Sequence, residues 1–303
     1  MPIGLLLAFV GALLVPGPGQ WLEQQGAVRW MVVIIFLLNG YQTRLQGVPT
    51  VAGYGRLIVL AVVINLLLAP WLGWLVVNLL PLSLAVSIGV LVMAVVPPTL
   101  SSGIVMTRMA GGDGAAALVI TVLLNLLGVF SIPLLLSWTM GRAGLVEVSP
   151  WPLLQSLALL VLVPFVLGMA LRRWRELPVP TALLAYVPSL CVIGTAWMLM
   201  SRSQQTLLAV APLEMLWAAM ASLLVHAALL GLCYGVGNRW ISDKGRQVAL
   251  LFTASQKTLP VAISVMAAMA IGAEAGIALL CCILFHFLQL LVDSMLASRL
   301  SRR

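Results

Sequence analysis

Val96-Pro97-Pro98-Thr99-Leu100-Ser101-Ser102-Gly103 interrupts one long apolar run, and half a chain later Thr253-Ala254-Ser255-Gln256-Lys257-Thr258-Leu259-Pro260 interrupts another. Proline lacks a backbone donor and its ring clashes with the preceding turn, so Pro97 and Pro98 together are expected to stop a helix. Pro260, with the polar run before it, is expected to do the same in the second segment, and Gly103 marks the far side of the first break. Backbone groups freed in this way cannot stay bare in hydrocarbon, so both interruptions must face protein or water.

Working outward, the flanking sequence says that lipid is the main solvent. Of 303 residues 62% are hydrophobic and 8% charged, whereas an ordinary soluble domain is about a quarter charged. Apolar runs fall at roughly 2–16, 29–46, 56–79, 84–111, 114–140, 152–172, 178–201, 206–237, 246–271 and 273–298, and a spanning helix needs about 20 apolar residues. The expected fold is all-α: a polytopic membrane protein of ten transmembrane helices in one domain over residues 1–303. The run Gly4 to Val15 has the length of a signal h-region without a basic stretch before it, and is expected to be a retained first helix.

The two interruptions sit in the fourth and ninth spans. Each half of the chain, about 1–147 and about 148–303, then holds five helices, and an odd number inverts the second repeat relative to the first. Discontinuous helices at matching places in inverted repeats are the mark of a secondary transporter whose site lies near the bilayer midplane.

The net charge of +8 does not point to nucleic acid, because the basic residues form no water-facing stripe. With ten spans, one set of helix ends carries Arg44, Arg56, Arg108, Arg172, Arg173, Arg175, Arg239, Lys244, Arg246, Arg299, Arg302 and Arg303, and the other set Arg29, Arg142 and Arg202. This asymmetry predicts a multi-pass protein of the cytoplasmic (inner) membrane with both termini cytoplasmic. Cys191, Cys233, Cys281 and Cys282 lie in apolar runs without zinc or redox spacing and read as packing residues. No phosphate loop, metal-ligand cluster or nucleophile elbow occurs, so neither an enzyme nor a cofactor is expected.

Lys257 carries the strongest functional signal, since an ammonium in mid-span costs about 3 kcal/mol on insertion scales and needs a partner or a purpose. It is expected to face a wet pocket shared with the loosened backbone. Thr99, Ser101, Ser102, Ser255, Gln256 and Thr258 supply polar groups at the breaks, while Asn65, Thr121 and Asn125 are either site residues or interhelical hydrogen-bond glue. His286 and Asp293 are seven apart and share a helical face; they are candidates for a proton relay or an ion pair, with Asp293 also able to neutralise Lys257. His226 reads as a packing residue, Glu214 lies near a span end, and Arg108 with Asp113 suits a surface pair or gate latch.

The stretches Pro98 to Gly112, Phe252 to Pro260 and Asn65 to Pro70 resemble the SBF-like branch of the bile acid:sodium symporter superfamily (solute carrier family 10 type). The resemblance covers the whole chain. It implies a core domain, holding crossed fourth and ninth helices, that moves against a panel domain. It also implies two sodium ions beside an organic anion, with Ser102, Thr121, Asn65 and Gln256 at the sodium-site positions and ninth-helix ligands across Phe252 to Ser255. Two departures weaken a sodium site: an acidic position of sodium-coupled relatives is Phe252 here, and a fourth-helix Asn is Gly103. Lys257 further opposes a cation by Coulomb repulsion.

The leading expectation is therefore a lipid-embedded secondary transporter of a small organic anion, working by alternating access, with sodium or a proton as possible coupling ion and Lys257 as a tethered cation. The alternatives are a non-transporting membrane regulator of ion homeostasis and a proton-coupled antiporter. Substrate identity and the choice of monomer or homodimer stay open.

Overall fold

The computed structural model describes residues 2–43, 51–145, 148–174, 178–269 and 272–301, and all regular structure among them is helical. The first part comprises α1 (Pro2–Leu14), α2 (Pro16–Gln24), α3 (Ala27–Gln42), α4 (Gly55–Val62), α5 (Ala69–Leu79), α6 (Leu84–Val95), α7 (Ser102–Met109) and α8 (Gly114–Arg142). The second comprises α9 (Pro150–Leu157), α10 (Val163–Trp174), α11 (Thr181–Arg202), α12 (Gln204–Leu208), α13 (Pro212–Trp240), α14 (Lys244–Ser255), α15 (Leu259–Ala268) and α16 (Ala275–Leu300). Proline opens α2, α9, α13 and α15, where its missing N–H would have no helical partner anyway. A wide π-turn, Val63–Leu68, joins α4 to α5 in one continuous rod, and a second, Ala158–Leu162, joins α9 to α10.

Seven helical rods among the described residues are long and apolar enough to cross a membrane, or eight if α1 and α2, bent by 98° at Val15, make one span. The remaining two expected spans are represented by shorter apolar helices, for separate reasons. The second, expected to run to residue 46, ends at Gln42 with residues 44–50 outside the described part. The fourth is cut at Val95 by its own prolines. The expected first span is likewise split, because Pro16 starts a new helix in a new direction.

The rods form two groups. In one, α3 packs on α10 and α11, and α11 packs on α1 and α2. Its tightest seam joins α3 to α10: a Cβ on Gly40 would lie 2.0 Å from the Phe165 carbonyl oxygen, and one on Gly168 2.1 Å from the Leu37 carbonyl oxygen. Only glycine permits backbones that close. The other group gathers α4 to α8 and α13 to α16. Its centre is the α14–α15 rod, 89% buried over its most apolar stretch against 33–56% for the other six rods. A membrane helix so enclosed meets protein and little lipid, and this frees it to carry polar residues.

Helix ends at one face of this second group are tied by two aspartates. Asp113 Oδ1 caps α8 by accepting from the Ala115 and Ala116 amides, each at 2.9 Å, and Asp243 Oδ1 caps α14 by accepting from the Arg246 amide at 2.7 Å. The Asp113 amide donates to the Gly245 carbonyl at 2.9 Å, and the Tyr54 hydroxyl donates to Asp113 Oδ2 at 3.2 Å. Asp113 is thus a helix cap and a tie between α8 and α14, a different role from the pairing with Arg108 expected of it.

Candidate functional site: the crossed helix breaks

Both breaks occur where the proline pattern puts them. The chain leaves α6 in extended conformation at Val96 (φ −71°, ψ 150°) and re-enters helix at Ser102. It leaves α14 at Gln256 (φ −73°, ψ 156°) and re-enters at Leu259. A broken helix strands carbonyls at one end and amides at the other, so each freed group needs a partner. The two breaks cross and supply one directly: the Thr258 amide donates to the Pro97 carbonyl at 2.9 Å.

Side chains from neighbouring rods supply the rest. Asn125 Nδ2 on α8 donates to the Pro98 carbonyl at 2.9 Å. Asn65, on the π-turn before α5, donates through Nδ2 to the carbonyls of Ala254 at 2.9 Å and Gln256 at 3.1 Å. Gln289 on α16 holds the peptide of residue 257 from both sides: its Oε1 accepts from the Lys257 amide at 2.9 Å and its Nε2 donates to the Lys257 carbonyl at 2.6 Å. Each of these bonds satisfies a group that hydrocarbon would leave bare, at a cost of about 1–3 kcal/mol if lost.

Lys257 departs from expectation. It is completely buried and is absent from the cavity lining, so its ammonium does not face the wet pocket. Nζ instead donates to three backbone carbonyls, Asn65 at 2.9 Å, Ala94 at 2.8 Å and Val96 at 3.0 Å. Two of these acceptors end α6, where the helix dipole favours positive charge, and the third belongs to the π-turn. The ammonium occupies a cage of hard oxygen ligands such as a metal cation would choose.

Asp293 also differs from expectation, because its partners are His226 and Gln256 and not Lys257. Its Oδ1 lies 3.0 Å from His226 Nε2, and its Oδ2 accepts from Gln256 Nε2 at 2.7 Å. Gln256 Oε1 in turn accepts from Ser102 Oγ at 2.9 Å and Thr99 Oγ1 at 3.1 Å, and these two hydroxyls also bond to each other. Gly103 sits against this junction, where an added Cβ would come within 3.2 Å of Gln256 Oε1. His286, the other half of the anticipated relay, bonds through Nδ1 to Gln289 Nε2 at 3.1 Å.

Thr253 and Ser255 turn their hydroxyls back to the carbonyls of Ala249 and Leu251, each at 2.6 Å. Thr121 Oγ1 and Asn65 Oδ1 are buried without a partner among the described residues. Sequence reasoning left Gln289 out altogether, although it falls three after His286 and four before Asp293 and so on the same helical stripe. It also took His226 for packing.

A cavity of about 810 Å³ lies between the two groups of rods, lined by α3 and α11 on one side and by the breaks with α7, α8, α15 and α16 on the other. Thr99, Ser101, Ser102, Thr258, Asn125 and His286 line it, so the first break presents its hydroxyls there while Lys257, Gln256 and Asn65 stand behind. The N-termini of α7 and α15 both open on this space. Among the described residues that line it, Arg108 carries the one fixed charge and none is a carboxylate.

A model of the SBF-like CPA transporter family matches residues 1–302. An Arabidopsis thaliana protein named "Probable sodium/metabolite cotransporter BASS4, chloroplastic" is 31% identical over 286 residues, covering 89% of this chain. The chain spans 65% of that relative's length. Its counterpart in Oryza sativa subsp. indica is 29% identical over 325 residues, covering 98% of this chain and 74% of the relative. The Xenopus laevis "Sodium/bile acid cotransporter 7-B" is 26% identical over 179 residues, covering 57% of this chain and 52% of the relative. With a family match from end to end and the crossed breaks at its centre, this chain belongs to the SBF-like CPA transporter family.

Proposed function

We propose that the chain is a secondary transporter of ten membrane helices in two inverted repeats, about 1–147 and 148–303, which carries a small organic anion through the cavity by alternating access. In this reading the short helices α3 and α6–α7 complete the set of spans, and both termini face the cytoplasm by the bias of Lys and Arg. The named relatives are sodium/metabolite and sodium/bile acid cotransporters. Besides Phe252 and Gly103, this chain departs from a sodium-coupled mechanism where the Lys257 ammonium fills a carbonyl cage.

That caged ammonium is the observation that carries the reading. A bound sodium ion would bring one positive charge and take hard oxygens, and Lys257 already supplies the charge and occupies the oxygens. A mobile cation nearby would be repelled. The anionic character of the substrate is supported by the cavity: among the described residues, hydroxyls, two helix N-termini and Arg108 line it without an opposing carboxylate.

Thermal unfolding of the purified protein against a panel of organic anions, in sodium and in choline buffers, tests this. Stabilisation by a subset of anions, equal in the two buffers and followed by counterflow of the same anions in proteoliposomes, is expected. Stabilisation only in sodium would overturn the surrogate role of Lys257. No anion response together with no counterflow would overturn the transport reading.

A further inference from the structure

We propose that His226 and Asp293 form a proton-binding site whose occupancy is linked, through Gln256, to an anion in the cavity; the linkage rests on the cavity being the substrate site. The two side chains are 2% and 0% exposed and their near atoms are 3.0 Å apart. The ammonium of Lys257 is committed to three carbonyls, so the direct partners of the carboxylate are an imidazole and an amide. An ionised carboxylate alone in such a place costs several kcal/mol, and a shared proton relieves that cost.

The surroundings leave few competitors for this proton. Among the elements packed on α13 and α16, α5, α6, α12 and α15 carry no ionisable side chain. On α7 stands Arg108, on α14 Lys244 and Arg246, and on α11 Tyr186, Cys191 and Arg202, the last paired with Glu23 at 3.0 Å. Glu274 precedes α16, which carries Cys281, Cys282 and Arg299, while α13 carries Glu214, bonded to Ser83, with Tyr234 and Arg239. Cys233 and His286 lie within electrostatic range of Asp293, and the Lys257 ammonium, next in sequence to Gln256, is held by its three carbonyls.

Proton balance then follows. With His226 neutral, Nε2–H donates to Asp293 Oδ1, and Nδ1 is a buried acceptor without a partner among the described residues; Lys257 and Asp293 cancel in formal charge. One proton taken from water leaves either imidazolium with carboxylate or imidazole with carboxylic acid, and the extra proton belongs to the pair in both cases. The core now holds one uncompensated positive charge, and an anion in the cavity offsets it. Proton and anion therefore bind together, each raising the affinity of the other by the same factor.

Gln256 gives the link its path. A carboxylate only accepts, so the amide turns Nε2 to Asp293 and Oε1 to the hydroxyls of Thr99 and Ser102, which line the cavity. An anion there competes for the same two hydroxyls. What the cavity holds thus alters how firmly Gln256 is polarised toward Asp293.

The chain has two histidines, which makes the test direct. Full-length protein with 15N-labelled histidine, in lipid nanodiscs, is titrated by NMR, and His286→Asn identifies the His226 signals. The His226 ring signals are expected to change state as pH is varied, to lose that change in Asp293→Asn, and to shift their midpoint by about half a pH unit in Ser102→Ala, a roughly threefold change in proton affinity. Ring signals constant over the whole range in which wild-type protein stays folded overturn the site, whether or not the variants fold. An unaltered midpoint in Asp293→Asn also overturns it, and an unaltered midpoint in Ser102→Ala overturns the link to the cavity. A failed anion screen would leave the wild-type histidine titration standing, so the two proposals fall separately.

Discussion

The two helix breaks occupy corresponding places in the chain and do opposite things. The first, from Val96 to Ser101, takes its hydrogen bonds from outside, from Lys257, Thr258 and Asn125, and turns its hydroxyls toward the cavity. The second, from Gln256 to Thr258, sends Gln256 and Lys257 into the protein and leaves only Thr258 at the cavity wall. One break presents groups to a ligand while the other holds the crossing together, and the fixed charge sits in the hidden one. Two breaks of similar composition have been put to different use.

The sharpest way to break this comparison is to empty the cage. Lys257→Met strips the partner from three buried carbonyls and is expected to cost on the order of 3–5 kcal/mol, read by thermal unfolding in detergent micelles. A loss below about 1 kcal/mol would mean that the crossing does not depend on the ammonium. Lys257→Ala opens the same cage, and in that variant sodium is expected to raise the unfolding temperature relative to choline, a response absent from wild type.

Next in size is Gln289→Leu, which leaves both backbone groups of residue 257 bare and is expected to destabilise by about 2–4 kcal/mol in the same assay. Gly103→Ala probes the junction between the breaks. Its Cβ would press on Gln256 Oε1, with an expected loss of about 1 kcal/mol and a weakened anion response. The smallest effect belongs to the presenting break. Ser101 is exposed and makes no capping bond, so Ser101→Ala is expected to stay within about 0.5 kcal/mol of wild type while changing which anions stabilise the protein. A large unfolding shift there would erase the contrast between the two breaks.

Much of this was legible in the sequence because the decisive signals are local. Paired Pro97 and Pro98, and Pro260 behind a polar run, mark breaks that the single prolines inside α8 and α11, Pro133 and Pro188, do not make, and an apolar run announces a membrane rod by its own composition. Lys257 stood out for the same reason, since its cost is set by depth. Its partners are a tertiary matter: the carbonyls of Asn65, Ala94 and Val96 belong to residues whose side chains say nothing about it. The expected wet pocket was a reasonable home for an ammonium, but ends of other helices offered a drier one. Of the roles open to Asp293, only the neutralising of Lys257 departs from its contacts, because Lys257 is already satisfied by backbone. The stripe His286, Gln289, Asp293 was readable in full, and only its outer members drew notice because they ionise.

The contact of α3 with α10, where Gly40 and Gly168 let main chains touch, bears on how such a molecule can move. Helices in that grip travel as one plate, because sliding either would drive a carbonyl into a backbone with no side chain to yield. Motion must then fall at looser seams such as α3 against α15, beside the cavity. If the proposed alternating access holds, a covalent bridge between α3 and α10 should pass unnoticed in a flux assay, whereas a bridge from α3 to α15 should abolish flux.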